Sequence, residues 1–161
     1  EHELKDFVKE TVIDTDFELL FPDDYVNNIT ERLNLYNKLG DLKTEEELQK
    51  YETDLIDRFG ELPIQAKDLL NSVRIKWIAI TIGLERVIMK QGKLIGYFVT
   101  DQESSFYQSP IFSQIIQFAK TNPSLVKMKE KNTRNGLRLI ITFENITTIN
   151  KALQSLSPIL V

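Results

Sequence analysis

Between residues 23 and 82 the apolar positions recur every three to four residues, and from residue 84 onward the period falls towards two. The first regime predicts three helices. Val26, Ile29, Leu33, Tyr36 and Leu39 share one face of a helix capped by Asp23 or Asp24 and stopped near Gly40. Thr44 and Glu47 have the spacing of a capping box for a second helix, with Leu48, Tyr51, Leu55 and Phe59 inward and Gly60 at its end. These two should form an antiparallel hairpin. Pro63 suits the first position of a third helix running to Ile82 and closed by Gly83. Leu69, Val73, Trp77 and Ile80 lie on one of its faces and Ile75, Ile78 and Ile82 on another, which predicts a C-terminal half buried nearly all round.

Strand patterns at 84–89 and 94–100 flank the turn Lys90-Gln91-Gly92-Lys93, and a second pair at 125–131 and 137–143 is joined through Asn135-Gly136. Ser109-Pro110 opens a helix with Ile111, Ile115, Phe118 and Ala119 on one side, ended by Asn122-Pro123, and Asn145 is a candidate cap for a last helix through Leu156. Residues 11–21 read as an extended arm running into Pro22, and the polar run 101–108 as a mobile loop. The layout ααα-ββ-α-ββ-α predicts an α+β fold: an N-terminal helical hairpin and a long buried helix on a small antiparallel sheet with two further helices. The expected organisation is an arm over 1–22 and one domain over 23–161.

Composition removes whole classes. At 161 residues, 42% hydrophobic and 27% charged, the chain has neither the bias of a disordered tail nor that of a collagen. A chain of this length buries roughly 68 to 70% of its unfolded surface, enough for a core without staples. The count of 0 cysteines excludes disulfides, zinc fingers, iron–sulfur clusters and thiol nucleophiles, and suits a reducing, cytoplasmic setting. The apolar run at 77–82 is far short of the roughly 20 residues of a membrane span, and EHELKDFVKE is too charged for a signal peptide, so a soluble protein with no membrane partner is expected. A start at Glu1-His2 without Met predicts a segment of a longer chain. Charge is uneven: residues 1–62 hold 7 basic against 18 acidic side chains (net −11), 63–119 hold 6 against 4 (+2), and 120–161 hold 7 against 2 (+5). An acidic front favours a basic protein surface, and the basic third is a local patch in a chain of net charge −4.

Catalytic chemistry has few residues to use. The single histidine, His2, stands at the very start, which leaves no imidazole for a triad or a general base. Glu45-Glu46-Glu47 reads as a solvated first helical turn that suits the helix dipole rather than as a metal site. The glycines fall at helix ends and turns, apart from Gly96 in a strand, and neither a P-loop nor GxGxxG is present, so no enzyme activity and no metal or cofactor is expected in this segment. Two surface constellations remain. On the second helix, 100° per residue puts Asp54, Asp57 and Arg58 in one stripe beside the apolar face, and their plainest reading is an Asp54/Arg58 i,i+4 pair. Lys127, Lys129 and Lys131 at period two, with Arg134 and Arg138 across the turn, read either as a solvated edge strand or as a basic hairpin that meets phosphates. The hairpin is the alternative functional reading, a nucleic-acid-binding module.

Arg32-Leu33-Asn34-Leu35-Tyr36-Asn37-Lys38-Leu39, followed by Asp54-Leu55-Ile56-Asp57-Arg58-Phe59-Gly60-Glu61-Leu62-Pro63, resembles the C-terminal domain of bacterial transcription-repair coupling factors. The resemblance is strongest over 23–83, and Asp54 stands where the family more often carries Glu. It implies a parent that is an ATP- and Mg-dependent DNA translocase which displaces stalled RNA polymerase and recruits UvrA for nucleotide-excision repair, with residues 1–22 as the approach from the motor. It further implies that this domain docks on the parent's N-terminal UvrB-like module, hides the UvrA-binding surface and restrains the motor, with Asp54, Asp57 and Arg58 in the docking surface. Phe59 and Gly60 keep structural readings, as an anchor and a helix stop.

Overall fold

Local signals at the ends of segments decide most of the secondary structure. A computed structural model describes residues 7–161; His2 and the first positions of the expected arm lie outside the described residues. The described residues divide into two compact units, Glu18–Arg74 and Ile75–Val161 with the arm up to Phe17.

In the first unit, α1 (Ile29–Asp41) and α2 (Glu45–Phe59) are joined by a short turn, and α3 begins at Ile64 and runs to Thr81 across the boundary. The cap of α1 is Asn28, whose side chain accepts from the Glu31 N–H, rather than Asp23 or Asp24. A competing turn explains the difference: the Pro22 carbonyl accepts from Tyr25 and Val26 N–H, and Arg32 Nη1 donates to the Val26 carbonyl at 2.6 Å. Val26 therefore packs from outside the helix, and the inward face becomes Leu35 and Leu39 while Ile29 and Leu33 are exposed. The capping box of α2 forms as the sequence predicts. The backbone N–H groups of Lys43 and Thr44 donate to Glu47 at 2.8 and 3.0 Å and hold its carboxyl below the ordinary value. Leu48, Tyr51 and Leu55 are buried.

The second unit is built on one five-stranded mixed sheet in the order β1-β2-β3-β5-β4, where β1 is Val12–Thr15, β2 Leu84–Lys90, β3 Lys93–Phe98, β4 Val126–Thr133 and β5 Gly136–Glu144. Four strands are antiparallel, as expected. The fifth is the arm, which adds a parallel edge by pairing Val12 with Arg86 through Thr15 with Met89. Hydroxyl clamps flank this pairing: Thr11 Oγ1 donates to the Leu84 carbonyl at 2.7 Å and Thr15 Oγ1 to that of Met89 at 2.8 Å. Between β2 and β3 the two-residue loop Gln91-Gly92 has positive φ at both positions, the type I′ geometry that matches strand twist. In the second hairpin Thr133 pairs with Gly136, so the loop is Arg134-Asn135.

One face of the sheet is the core: Val87, Met89, Leu94, Phe98, Ile141 and Phe143 are buried there. Helix α4 (Pro110–Thr121), capped by Ser109, covers this face with its Phe112 ring 6.2 Å from Phe98, and α5 (Ile149–Leu156) follows β5. Thr148, not Asn145, caps α5; Asn145 takes a positive φ at the exit from β5. The stretch 101–108 is anchored. Its 3-10 turn, Ser105–Gln108, buries Phe106 completely against the rings of Phe7, Phe98, Tyr107 and Phe112 at 5.0 to 5.9 Å.

Candidate docking surface

Asp54, Asp57 and Arg58 occupy the last two turns of α2, and the helix is fixed by its neighbours before it presents anything. The Tyr51 hydroxyl donates to the Leu35 carbonyl at 2.7 Å, a buried brace between α1 and α2, and burial pushes that phenol well above its ordinary pKa. At the C-terminal end Gly60 takes φ +90° and its N–H reaches the Ile56 carbonyl at 2.9 Å. No atom lies within 4 Å of where its Cβ would stand, so the turn needs glycine for its backbone, not for space. The Tyr25 hydroxyl donates to the Gly60 carbonyl at 2.8 Å, and its ring packs 5.7 Å from half-buried Phe59. Leu62 is buried and leads through Pro63 into α3. The Asp57-to-Pro63 segment thus encodes a helix end held from three sides.

The three predicted residues are all exposed, but the expected Asp54/Arg58 pair does not form. Arg58 Nη2 bonds Glu31 Oε1 on α1 instead, and its guanidinium carbon sits 4.7 Å over the Phe59 ring. Among the described residues neither the Asp54 nor the Asp57 side chain makes a hydrogen bond or ion pair. A shallow groove lined by Leu35, Lys38, Tyr51, Asp54, Leu55 and Arg58 runs between the two helices. Glu31 and Lys38 therefore belong to this surface. The sequence predicts the antiparallel hairpin, but the surface stripe was read along α2 alone, without the register that sets Glu31 against Arg58. Glu18–Arg74 holds 7 basic against 13 acidic side chains, a net −6 around the stripe.

The basic residues sit elsewhere and are not equivalent. Lys127, Lys129 and Lys131 share the outer face of β4, opposite Thr142, Ile140 and Arg138 of β5. Arg138 is committed to the fold: its guanidinium donates to the Phe98 carbonyl at 2.7 Å and pairs with Glu85 at 3.2 Å, with only 15% of the side chain exposed. Arg134 is at the turn and exposed. Among the described residues no cluster of three or more His, Asp or Glu is placed to hold a metal ion, and no helix is long and apolar enough to cross a membrane.

A capped helical hairpin and a mixed sheet in one chain define an α+β domain. Residues 15–109 match the family described as TRCF domain, and the chain belongs to that family. Proteins named transcription-repair-coupling factor are its relatives: that of Rickettsia bellii is 27% identical over 88% of this chain and 12% of its own length. The Buchnera aphidicola protein is 30% identical over 88% and 16%, and the Escherichia coli protein 34% over 49% and 7%. The chain thus spans about an eighth of the first of these relatives. Its fold is that of a crystal structure of the C-terminal domain of transcription-repair coupling factor, with a TM-score of 0.66 over 98% of this chain and 96% of that one at 17% identity.

Proposed function

We propose that this chain is a regulatory, non-catalytic domain of a cytoplasmic transcription-repair coupling factor, needing no cofactor of its own. It docks through Asp54, Asp57 and Arg58 on the UvrB-like module of the same parent, covers the surface that UvrA recognises, and holds the DNA translocase at rest until RNA polymerase is engaged. The observation that supports this most directly is the pair of exposed carboxylates, Asp54 and Asp57, without internal partners on a helix end that is otherwise braced. A carboxylate that stabilises nothing in its own fold is free to meet an Arg or Lys across an interface. The net −6 of the surrounding unit would steer a basic surface towards them.

The mechanism is intramolecular competition. An interface of about 600 to 1,500 Å² can be weak between separate molecules, yet tethering supplies effective concentrations on the order of millimolar and keeps it mostly closed. A charged surface suits repeated release, because it leaves no large apolar patch in water when open. The test is an NMR titration of this chain with the separately purified UvrB-like module up to about millimolar partner. Saturable shifts of the Asp54, Asp57 and Arg58 amides, lost in Asp57→Arg, are expected; a parent carrying Asp57→Arg should bind UvrA more tightly at rest. Unchanged UvrA affinity and ATPase rate in that parent would sink the assignment.

A further inference from the structure

The β4–β5 hairpin departs from the rest of its sheet at its far end. Next to the body, Val126, Ile141 and Phe143 are buried, but from Glu130 to Leu137 every residue is exposed except half-buried Thr133, on both faces of the ribbon. Residues of both faces can be in water only if the ribbon projects beyond the helices that cover the sheet. Along its outer face run Lys127, Lys129 and Lys131, and Arg134 stands at the tip. None of these four makes an ion pair among the described residues, although Asp14, Glu85 and Glu144 neutralise Arg86, Lys90, Lys93 and Arg138 on the neighbouring strands. The one acid of the projecting part, Glu130, is on the opposite face. Ile75–Val161 carries 11 basic against 5 acidic side chains, net +6.

We propose that this ribbon binds the phosphate backbone of a nucleic-acid duplex without reading its sequence. Alternate residues of a strand are about 6.8 Å apart, so the three lysines leave β4 at a regular stride along one face, within reach of successive phosphates on their flexible side chains. A two-stranded ribbon also fits the major groove, about 12 Å wide, which would admit the tip with Arg134 and Asn135. An acidic protein is the less fitting occupant. A protein interface takes its strength from aromatic or Arg anchors seated in desolvated pockets, and the nearest ring, Tyr97, is already faced by Lys131 at 5.9 Å and Arg138 at 5.5 Å. A row of ammonium groups without a carboxylate partner is phosphate chemistry, Lys131 touching only the Tyr97 hydroxyl at 3.4 Å, and its residues are other than those of the docking surface proposed above.

The experiment is fluorescence anisotropy of a labelled 20-base-pair DNA duplex titrated with this chain between 50 and 200 mM NaCl, with poly-glutamate as a second polyanion. Four phosphate contacts give a slope of about −3.6 in log K against log salt, an affinity loss of about 150-fold over that range. Replacing Lys127, Lys129 and Lys131 together by Ala should leave a slope of about −0.9 and a loss of about 3.5-fold. The changes are on an exposed strand face, and an unchanged circular dichroism spectrum confirms that the variant folds. A Lys120→Ala/Lys151→Ala control and Asp57→Asn should bind as the unaltered chain does. The proposal is overturned if the duplex does not bind, if the triple variant keeps its affinity and slope, or if poly-glutamate binds at the ribbon while the duplex does not.

Discussion

If Arg58 meets the UvrB-like module, it must first leave Glu31, and the strength of that internal bond sets how much docking affinity is lost in the release. Glu31→Gln isolates this quantity, because it removes the charge while keeping the side-chain length and leaving the Asn28 cap in place. The Arg58 side chain is 56% exposed and that of Glu31 33%, so their pair stands largely in water. Ion pairs so exposed contribute about 0.2 to 1 kcal/mol. Removing the competitor should therefore tighten docking by about 1.4- to 5-fold, at 1.4 kcal/mol per factor of ten. The cation–π contact with Phe59 survives and keeps the freed guanidinium near its place. Isothermal titration calorimetry of the two chains against the separate module measures the ratio directly. Loss of an acid from the first turn of α1 costs the fold about 0.3 to 1 kcal/mol, read independently by urea denaturation. An unchanged or weaker dissociation constant would refute the reasoning, since it would make Glu31 either irrelevant or itself a contact.

Two further predictions concern the fold itself. Phe106→Ala empties a fully buried position among four rings and should cost about 3 to 5 kcal/mol in urea unfolding followed by Trp77 fluorescence; a loss under about 1 kcal/mol would restore the picture of a mobile loop. The Arg74 guanidinium bonds both Glu45 oxygens, at 2.9 and 2.7 Å, and holds that carboxyl below its ordinary 4.5. A folded-state value below the unfolded one gives stability that is complete above about pH 4.5 and lost as pH falls through the folded value. The urea midpoint should accordingly drop more between pH 6 and 3.5 in the unaltered chain than in Glu45→Gln; equal drops would show that the pair contributes nothing.

What was legible in the sequence was local. Helix α2 could be read residue by residue, because its capping box, its inward spacing and its terminal glycine all lie within 17 positions of each other. The start of α1 could not, since Asp23, Asp24 and Asn28 are all good caps by residue type, and the Pro22 turn and the Arg32 bond to the Val26 carbonyl accompany the choice of Asn28. Phe106 was hidden by the polar residues around it, whose pattern says loop whatever a single ring does in space. The stripe on α2 was legible as a surface, while the partner of Arg58 was not, because Glu31 is 27 residues away on another helix. Arg138 shows the same limit from the other side: its strand position resembles that of the lysines, yet Glu85 and the Phe98 carbonyl remove it from any patch.

The parallel edge strand also sets a clock. Each residue of β1 pairs with one 74 positions later, from Val12 with Arg86 to Thr15 with Met89. At 5 to 20 residues per second on the ribosome, β1 leaves its codons about 4 to 15 s before its partner does. The contacts of α1 and α2 are short in sequence and need no such wait. When β2 finally emerges, the strand that will cover its outer edge already exists, so the edge has a cognate partner in the same chain from the moment it forms. The order of synthesis thereby favours closure within the molecule over pairing with a neighbouring nascent chain.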